Sequence, residues 1–201
     1  MKIILASSNE HKKKEIEQLF VGHQILLPKD LGLDFDCVED GNTFIENAII
    51  KAKALKEALQ NTFIGDYSVL ADDSGLIVDA LPGQLGVKTA RFGSPDGVTL
   101  LEAHEKNKLL LSKLIDLKEE QRTARFVCAM VLLKNDWTIY CVQEATEGRI
   151  LEKEIGVHGF GYDPVFYCNE AQSPMALLSD EGKNSCSHRG KAAKSMLKLI
   201  S

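Results

Sequence analysis

At 201 residues and 44% hydrophobic, the chain carries enough apolar material to bury a full core without disulfide or metal staples. A net charge of −5 argues against the broad cationic surface that non-specific nucleic-acid binding requires, while leaving room for local basic clusters. The five cysteines, at positions 37, 128, 141, 168 and 186, contain no C-x-x-C pair, which argues against a disulfide framework or a zinc site and leaves each as a small buried hydrophobe.

The chain opens on "KIILA", a buried strand, followed by "SSNEHKKKEIEQLF", a turn entering a helix with Ile16, Leu19 and Phe20 inward. This start is too short for a signal-peptide core, and no other run approaches membrane-spanning length, so the cytoplasm is the expected compartment. At the strand-to-helix junction, Ser7, Ser8 and Asn9 precede Lys12 by about one turn. Free backbone N–H groups and the helix dipole there attract phosphate, and an ordinary Ser/Asn cap is the competing reading, since no P-loop signature is present. A second strand, "QILLP", follows.

"CVEDGNT" then contributes Glu39 and Asp40 ahead of a strong helix, "NTFIENAIIKAKALKEALQ". Thr43 with Glu46 fits a capping box, and Phe44, Ala48, Ala52, Leu55 and Leu59 form an apolar stripe. Asn47 and Lys51, four residues apart, share a face beside it. Next comes "VLADDSGLIVD", where Asp72 and Asp73 interrupt what otherwise reads as a covered strand. Buried carboxylates need a positive partner such as a metal ion, unless Gly75 marks a turn that brings the chain to the surface. Glu39 and Asp73 together would suit Mg²⁺, which accepts an all-oxygen site and keeps several waters.

A helix is expected over roughly Asp96–Leu117, with Leu100, Leu101, Leu111, Leu114 and Ile115 inward. "ARFVCAMVLL" and "WTIYCVQEATEGRI", joined by "KND", predict an antiparallel hairpin. In "HGFGYDPVFY", Gly159 and Gly161 bracket Phe160 ahead of Tyr162 and Asp163, either presenting an aromatic face on which a base can stack or filling core. "DEGKNSCSHRGKAA" offers Lys183, His188 and Arg189 around a helix start, and a final helix begins near Ser187. Alternating elements plus the hairpin imply an α/β fold with a mixed sheet. With no repeat or linker, residues 1–201 read as a single domain.

In this order, "SSNEHK", "TFIENAIIKA", "ADDSGL", "GFGYDPVF" and "KNSCSHRGKA" resemble the inosine triphosphate pyrophosphatase family, which hydrolyses non-standard purine nucleoside triphosphates. The resemblance spans nearly the whole chain, and "FGYDP" followed by "SHRG" is its most specific part. It implies an ITPase-like single domain: an elongated mixed β-sheet flanked by helices, two lobes with a substrate cleft between them, and a homodimer. The family's general base matches Asp73, and Glu39 and Asp73 match its Mg²⁺ ligands. Substrate contacts match Ser7, Ser8, Asn9, Glu10, His11, Lys12, Lys51 and Ser74, and the base pocket matches Phe160, Gly161, Tyr162, Asp163, Lys183, His188 and Arg189.

The implied reaction is attack of water on the α-phosphorus, releasing pyrophosphate and leaving a monophosphate. On this reading the strand delivers both Asp72 and Asp73 to a metal–triphosphate complex. The partner is a small-molecule nucleotide, with neither nucleic acid nor membrane involved. Two other classes are distinguishable by assay: a non-catalytic nucleotide sensor using the same pocket, and an aspartic-protease-like hydrolase built on Asp73-Ser74-Gly75.

Overall fold

A computed structural model of the protein describes residues 1–60 and 65–201. The strands are β1 (Lys2–Leu5), β2 (Gln24–Leu26), β3 (Ser68–Val78), β4 (Thr123–Leu133), β5 (Ile139–Ile150), β6 (Phe166–Cys168) and β7 (Ser173–Pro174). They form one sheet in the order β2-β1-β3-β4-β5-β6-β7. The sheet is mixed, as expected. β1 runs parallel to β2 and β3, and β6 runs antiparallel to β5 and β7. Parallel neighbours need a crossover, and helix α1 (Glu10–Leu19) supplies the one between β1 and β2.

Among the described residues the remaining α-helices are α2 (Phe44–Ala58), α3 (Ala103–Lys113), α4 (Asp180–Cys186) and α5 (His188–Ile200). Among the described residues, no helix is long and apolar enough to cross a membrane. Helix α2 starts as its sequence dictates: Thr43 Oγ1 accepts from the Glu46 amide at 3.1 Å, and Glu46 Oε2 accepts from the Thr43 amide at 3.2 Å. Its stripe of Phe44, Ala48, Ala52, Leu55 and Leu59 is buried.

Helix α3 is shorter than its sequence suggests. Asp96 does not start it, because its Oδ1 accepts from the Val98 and Thr99 amides at 2.9 and 2.7 Å and closes a turn, helped by Gly97 at φ +75°. Helical structure begins only after Glu102, so Leu100 falls outside it and is exposed, as is Ile115 beyond its other end. The cysteines also divide: Cys128, Cys168 and Cys186 are buried as expected, whereas Cys37 is half-buried and Cys141 exposed.

The chain folds as two compact units. The first comprises Met1–Asp73, Cys128–Glu144 and Arg189–Ser201. Its core packs Ile3, Leu5 and Leu70 of the sheet with Ile16 of α1, Phe20 at its C-cap, and Ala192, Ala193 and Met196 of α5. The second comprises Ser74–Val127 and Ala145–His188. Its core joins Leu76 and Val78 to Leu110 of α3 and Leu114 at its C-cap, with Tyr162, Phe166 and Cys186 among the residues from the later segments.

Candidate active site

Successive residues of a strand point to opposite faces, so β3 sends its adjacent carboxylates apart. Both are buried, Asp72 to 1% exposure and Asp73 to 9%. Each carboxylate accordingly meets its own set of partners.

Asp72 shares a face with Leu70 and meets the cations of α1 and α5. Lys12 Nζ lies 3.1 Å from its Oδ1, and Arg189 donates to Oδ2 from Nη2 at 3.0 Å and from Nε at 3.3 Å. Arg189 Nη1 also reaches Glu15 Oε2 at 2.6 Å, so the guanidinium spans carboxylates from β3 and α1. Burial alone would raise the Asp72 carboxyl, but the charges of Lys12, Arg189 and Lys51 prevail and hold it far below the usual carboxylate range. Asp72 is thus a permanent anion that locks two helices to the sheet.

Asp73 faces α2. Its Oδ2 accepts from Asn47 Nδ2 at 3.1 Å, and its Oδ1 lies 3.2 Å from Lys51 Nζ. The i, i+4 spacing puts both partners on one helix face, as the sequence indicates. Lys51 Nζ also bonds Glu39 Oε2 at 2.8 Å, so Glu39 and Asp73 converge on one ammonium. The other end of the Asn47 amide is engaged too, since its Oδ1 accepts from the Gly41 amide at 2.8 Å and tethers the segment that carries Glu39. Burial pushes the Asp73 carboxyl up, and Lys51 and Asn47 offset this only in part. For Lys51, burial works against the charge, but Asp73, Asp72 and Glu39 keep it an ammonium. The two neighbouring carboxyls are thus driven in opposite directions, Asp72 down and Asp73 up.

At the start of α1, the cap reading accounts for much of the junction. Asn9 Oδ1 accepts from the His11 and Lys12 amides at 2.9 and 3.3 Å, and Ser7 Oγ accepts from the Asn9 amide at 3.1 Å. Ser8 and His11 are exposed, and Glu10, also exposed, pairs with Lys29. Ser74 follows Asp73 on β3 and is half-buried.

In the second unit, Phe160, Gly161, Tyr162, Asp163 and Lys183 come together. Asp163 Oδ2 accepts from the Phe160 amide at 2.8 Å and from Lys183 Nζ at 2.9 Å, while Nζ sits 4.6 Å from the centre of the Phe160 ring. Gly159 and Gly161 adopt φ of +79° and +63°. At Gly159 a Cβ would meet Asp163 Oδ2 at 2.1 Å, so only glycine fits. Tyr162 is buried and its hydroxyl donates to the Thr89 carbonyl at 3.0 Å, which makes it an anchor of this loop. His188 is buried, stacked on Phe126 with ring centres 4.8 Å apart. Arg189, next to His188 in the chain, directs its guanidinium to Asp72 and Glu15.

Sequence reasoning missed Glu15 and Asn107. Asn107 of α3 is buried and donates to the Gly161 carbonyl at 3.2 Å. The legible signal for Asn107 was a polar residue in the frame of Leu110, Leu111 and Leu114. Glu15 gave none beyond its place in a charged helix.

A model of the Ham1 family matches residues 3–199. A dITP/XTP pyrophosphatase of Treponema denticola is 47% identical over 200 residues, covering 100% of this chain and 98% of the relative. Among solved structures, the Ham1 protein of Staphylococcus aureus aligns with a TM-score of 0.81 at 34% identity, over 100% of this chain and 97% of its own. A HAM1 protein of Coxiella burnetii aligns with a TM-score of 0.82 at 32% identity, over 100% and 98%.

Proposed function

The chain belongs to the Ham1 family, and on that premise we propose that it is a pyrophosphatase of non-standard purine nucleoside triphosphates, among them dITP, XTP and ITP. The observation that carries the chemistry is the Glu39–Lys51–Asp73 cluster, which sets a carboxylate of raised pKa beside a buried cation. Asp73 takes a proton from water, whose oxygen forms a bond to the α-phosphorus. The bond from that phosphorus to the bridging oxygen breaks, pyrophosphate leaves with the electron pair, and the monophosphate remains. Lys51 and Lys12 stabilise the charge that grows on the phosphate oxygens. Asn47 orients Asp73 throughout. Arg189 acts through Asp72, keeping α1 and its Lys12 in place.

Mg²⁺ fits the donors present. Glu39 and Asp73 offer only carboxylate oxygens toward a common point, which the Lys51 ammonium takes up at 2.8 and 3.2 Å. Among the described residues, no group of three His, Cys, Asp or Glu side chains is placed to hold a metal, so such an ion would draw its other ligands from water and phosphate, as Mg²⁺ commonly does. Bound there, Mg²⁺ would neutralise triphosphate charge.

The Phe160–Asp163 loop and Lys183 are assigned to the purine, with Phe160 as the stacking surface and donors near Lys183 and His188 favouring a 6-carbonyl over a 6-amino group. A mismatched donor there costs about 1–3 kcal/mol, one to two decades in selectivity. The reading carries with it residues 1–201 as one ITPase-like catalytic domain, and a homodimer working in the cytoplasm on free nucleotides, without nucleic acid or membrane.

The test is a panel of nucleoside triphosphates with Mg²⁺, read for pyrophosphate against orthophosphate. Pyrophosphate from dITP, ITP and XTP well ahead of dATP and dGTP is the expected outcome. Orthophosphate as first product would move the attack to the terminal phosphorus and overturn the mechanism, and tight binding with no product would make the protein a sensor.

A further inference from the structure

Leu110 and Leu111 of α3 and Leu114 at its C-cap recur at core-facing spacing, and Asn107 stands in the same frame three residues before Leu110. An apolar side chain is what such a position calls for, and Asn107 is 1% exposed. Its Nδ2 donates to Glu154 Oε1 at 2.7 Å and to the Gly161 carbonyl at 3.2 Å. Its Oδ1 is buried without a hydrogen-bond partner among the described residues.

Rotating the amide does not relieve this, because both groups facing Nδ2 are acceptors and would then meet a carbonyl oxygen. The residue is therefore a poor choice for stability and a specific choice for holding something. What it holds is the backbone of the loop: Gly161 lies between Phe160 and Tyr162. Glu154 is fixed in turn by His104, whose Nδ1 lies 2.7 Å from Oε2, so one turn of α3 grips Glu154 twice. Lys183 and Asp163 secure the same loop through the Phe160 amide.

We infer that Asn107, braced by Glu154, is a positioning residue that fixes the Phe160–Gly161 backbone and thereby sets selectivity for the purine. This rests on the assignment of that loop to the base. Asn107 touches no part of the substrate, and loosening its grip leaves the proton transfer at Asp73 unaltered. The effect belongs in KM for substrates whose base is recognised, with kcat preserved.

The experiment compares kcat and KM for dITP and dATP in the wild type and in Asn107→Ala, Glu154→Ala and Glu154→Gln, with Mg²⁺ present and folding checked by thermal unfolding. Expected for Asn107→Ala is a rise of roughly fivefold or more in KM for dITP, with kcat within about twofold and dATP constants unmoved. Glu154→Ala shifts in the same direction by less. Glu154→Gln keeps an acceptor for Asn107 and retains wild-type constants. If Asn107→Ala does not fold, Glu154→Ala decides, since that side chain is partly exposed. A wild type with no preference for dITP overturns the base-site assignment and this inference together. A wild-type preference that survives both alanine variants, or equal losses for dITP and dATP, overturns the inference alone.

Discussion

The two units assemble their functional residues by different means. In the first, Glu39, Asn47, Lys51, Asp73, Lys12, Asp72 and Arg189 come from a loop, a strand and three helices, and charge decides which of them meet. In the second, Phe160, Gly161, Tyr162 and Asp163 are consecutive, and positive φ at Gly159 and Gly161 sets their shape. A long-range ion cluster fails when one charge is removed. A short loop fails when its backbone is stiffened in the wrong conformation. Substitutions in the first unit should therefore alter catalysis or global stability, and those in the second should alter which nucleotide is accepted.

The sharpest break is Asp73→Asn. It retains hydrogen bonding to Asn47 but cannot accept a proton, so kcat for dITP should fall by roughly 10²- to 10⁴-fold with nucleotide binding largely kept. Steady-state kinetics paired with calorimetric titration check both parts, and full activity would remove Asp73 from the mechanism. Its neighbour should behave in the opposite way. Asp72→Asn leaves Lys12 and Arg189 short of a buried carboxylate and should cost about 3 kcal/mol in urea denaturation. Because the folded Asp72 carboxyl lies below its ordinary value, its stabilisation is fully present above about pH 4 and fades as pH falls further. The stability gap between wild type and variant should close in acid.

In the second unit, Gly159→Ala forces a left-handed φ on a residue with a Cβ and presses that carbon into Asp163. A local cost of about 1–2 kcal/mol should appear as a higher KM for dITP with kcat kept. The smallest effect sharpens the role of Asn47. Its hydrogen bond partly offsets the upward push of burial on the Asp73 carboxyl, so Asn47→Ala should move the acidic limb of the kcat/KM profile to higher pH. An unmoved limb would assign that limb to another group.

Much of this was readable in advance where local chemistry and global packing agree. The α2 capping box, its apolar stripe and the shared face of Asn47 and Lys51 follow from spacing alone, as does the turn joining β4 and β5. The sequence pattern over-extends helix α3 because Asp96 suits both a helix cap and a turn, and only the closing of its side chain on the Val98 and Thr99 amides separates the two. The α4 helix went unseen because it is short and set off from α5 by a single residue, Ser187. Arg189 lies next to His188 in sequence, yet its partner is Asp72, a choice fixed by burial of both and beyond any local pattern. The separation of Asp72 from Asp73 was available from the period of a strand. What the sequence could not supply was the cation waiting on each face.

The parallel ladder pairs Ile3 with Ser68, Ile4 with Val69 and Leu5 with Leu70, just ahead of the two acids. Sliding β3 by one residue against β1 would exchange Asp72 and Asp73 between faces, handing the carboxylate we propose as proton acceptor to Arg189 and the permanent anion to Asn47. The alignment of these two strands thus encodes chemical identity as well as shape. A single-residue deletion early in β3 should silence the enzyme more completely than most changes made inside the cluster itself.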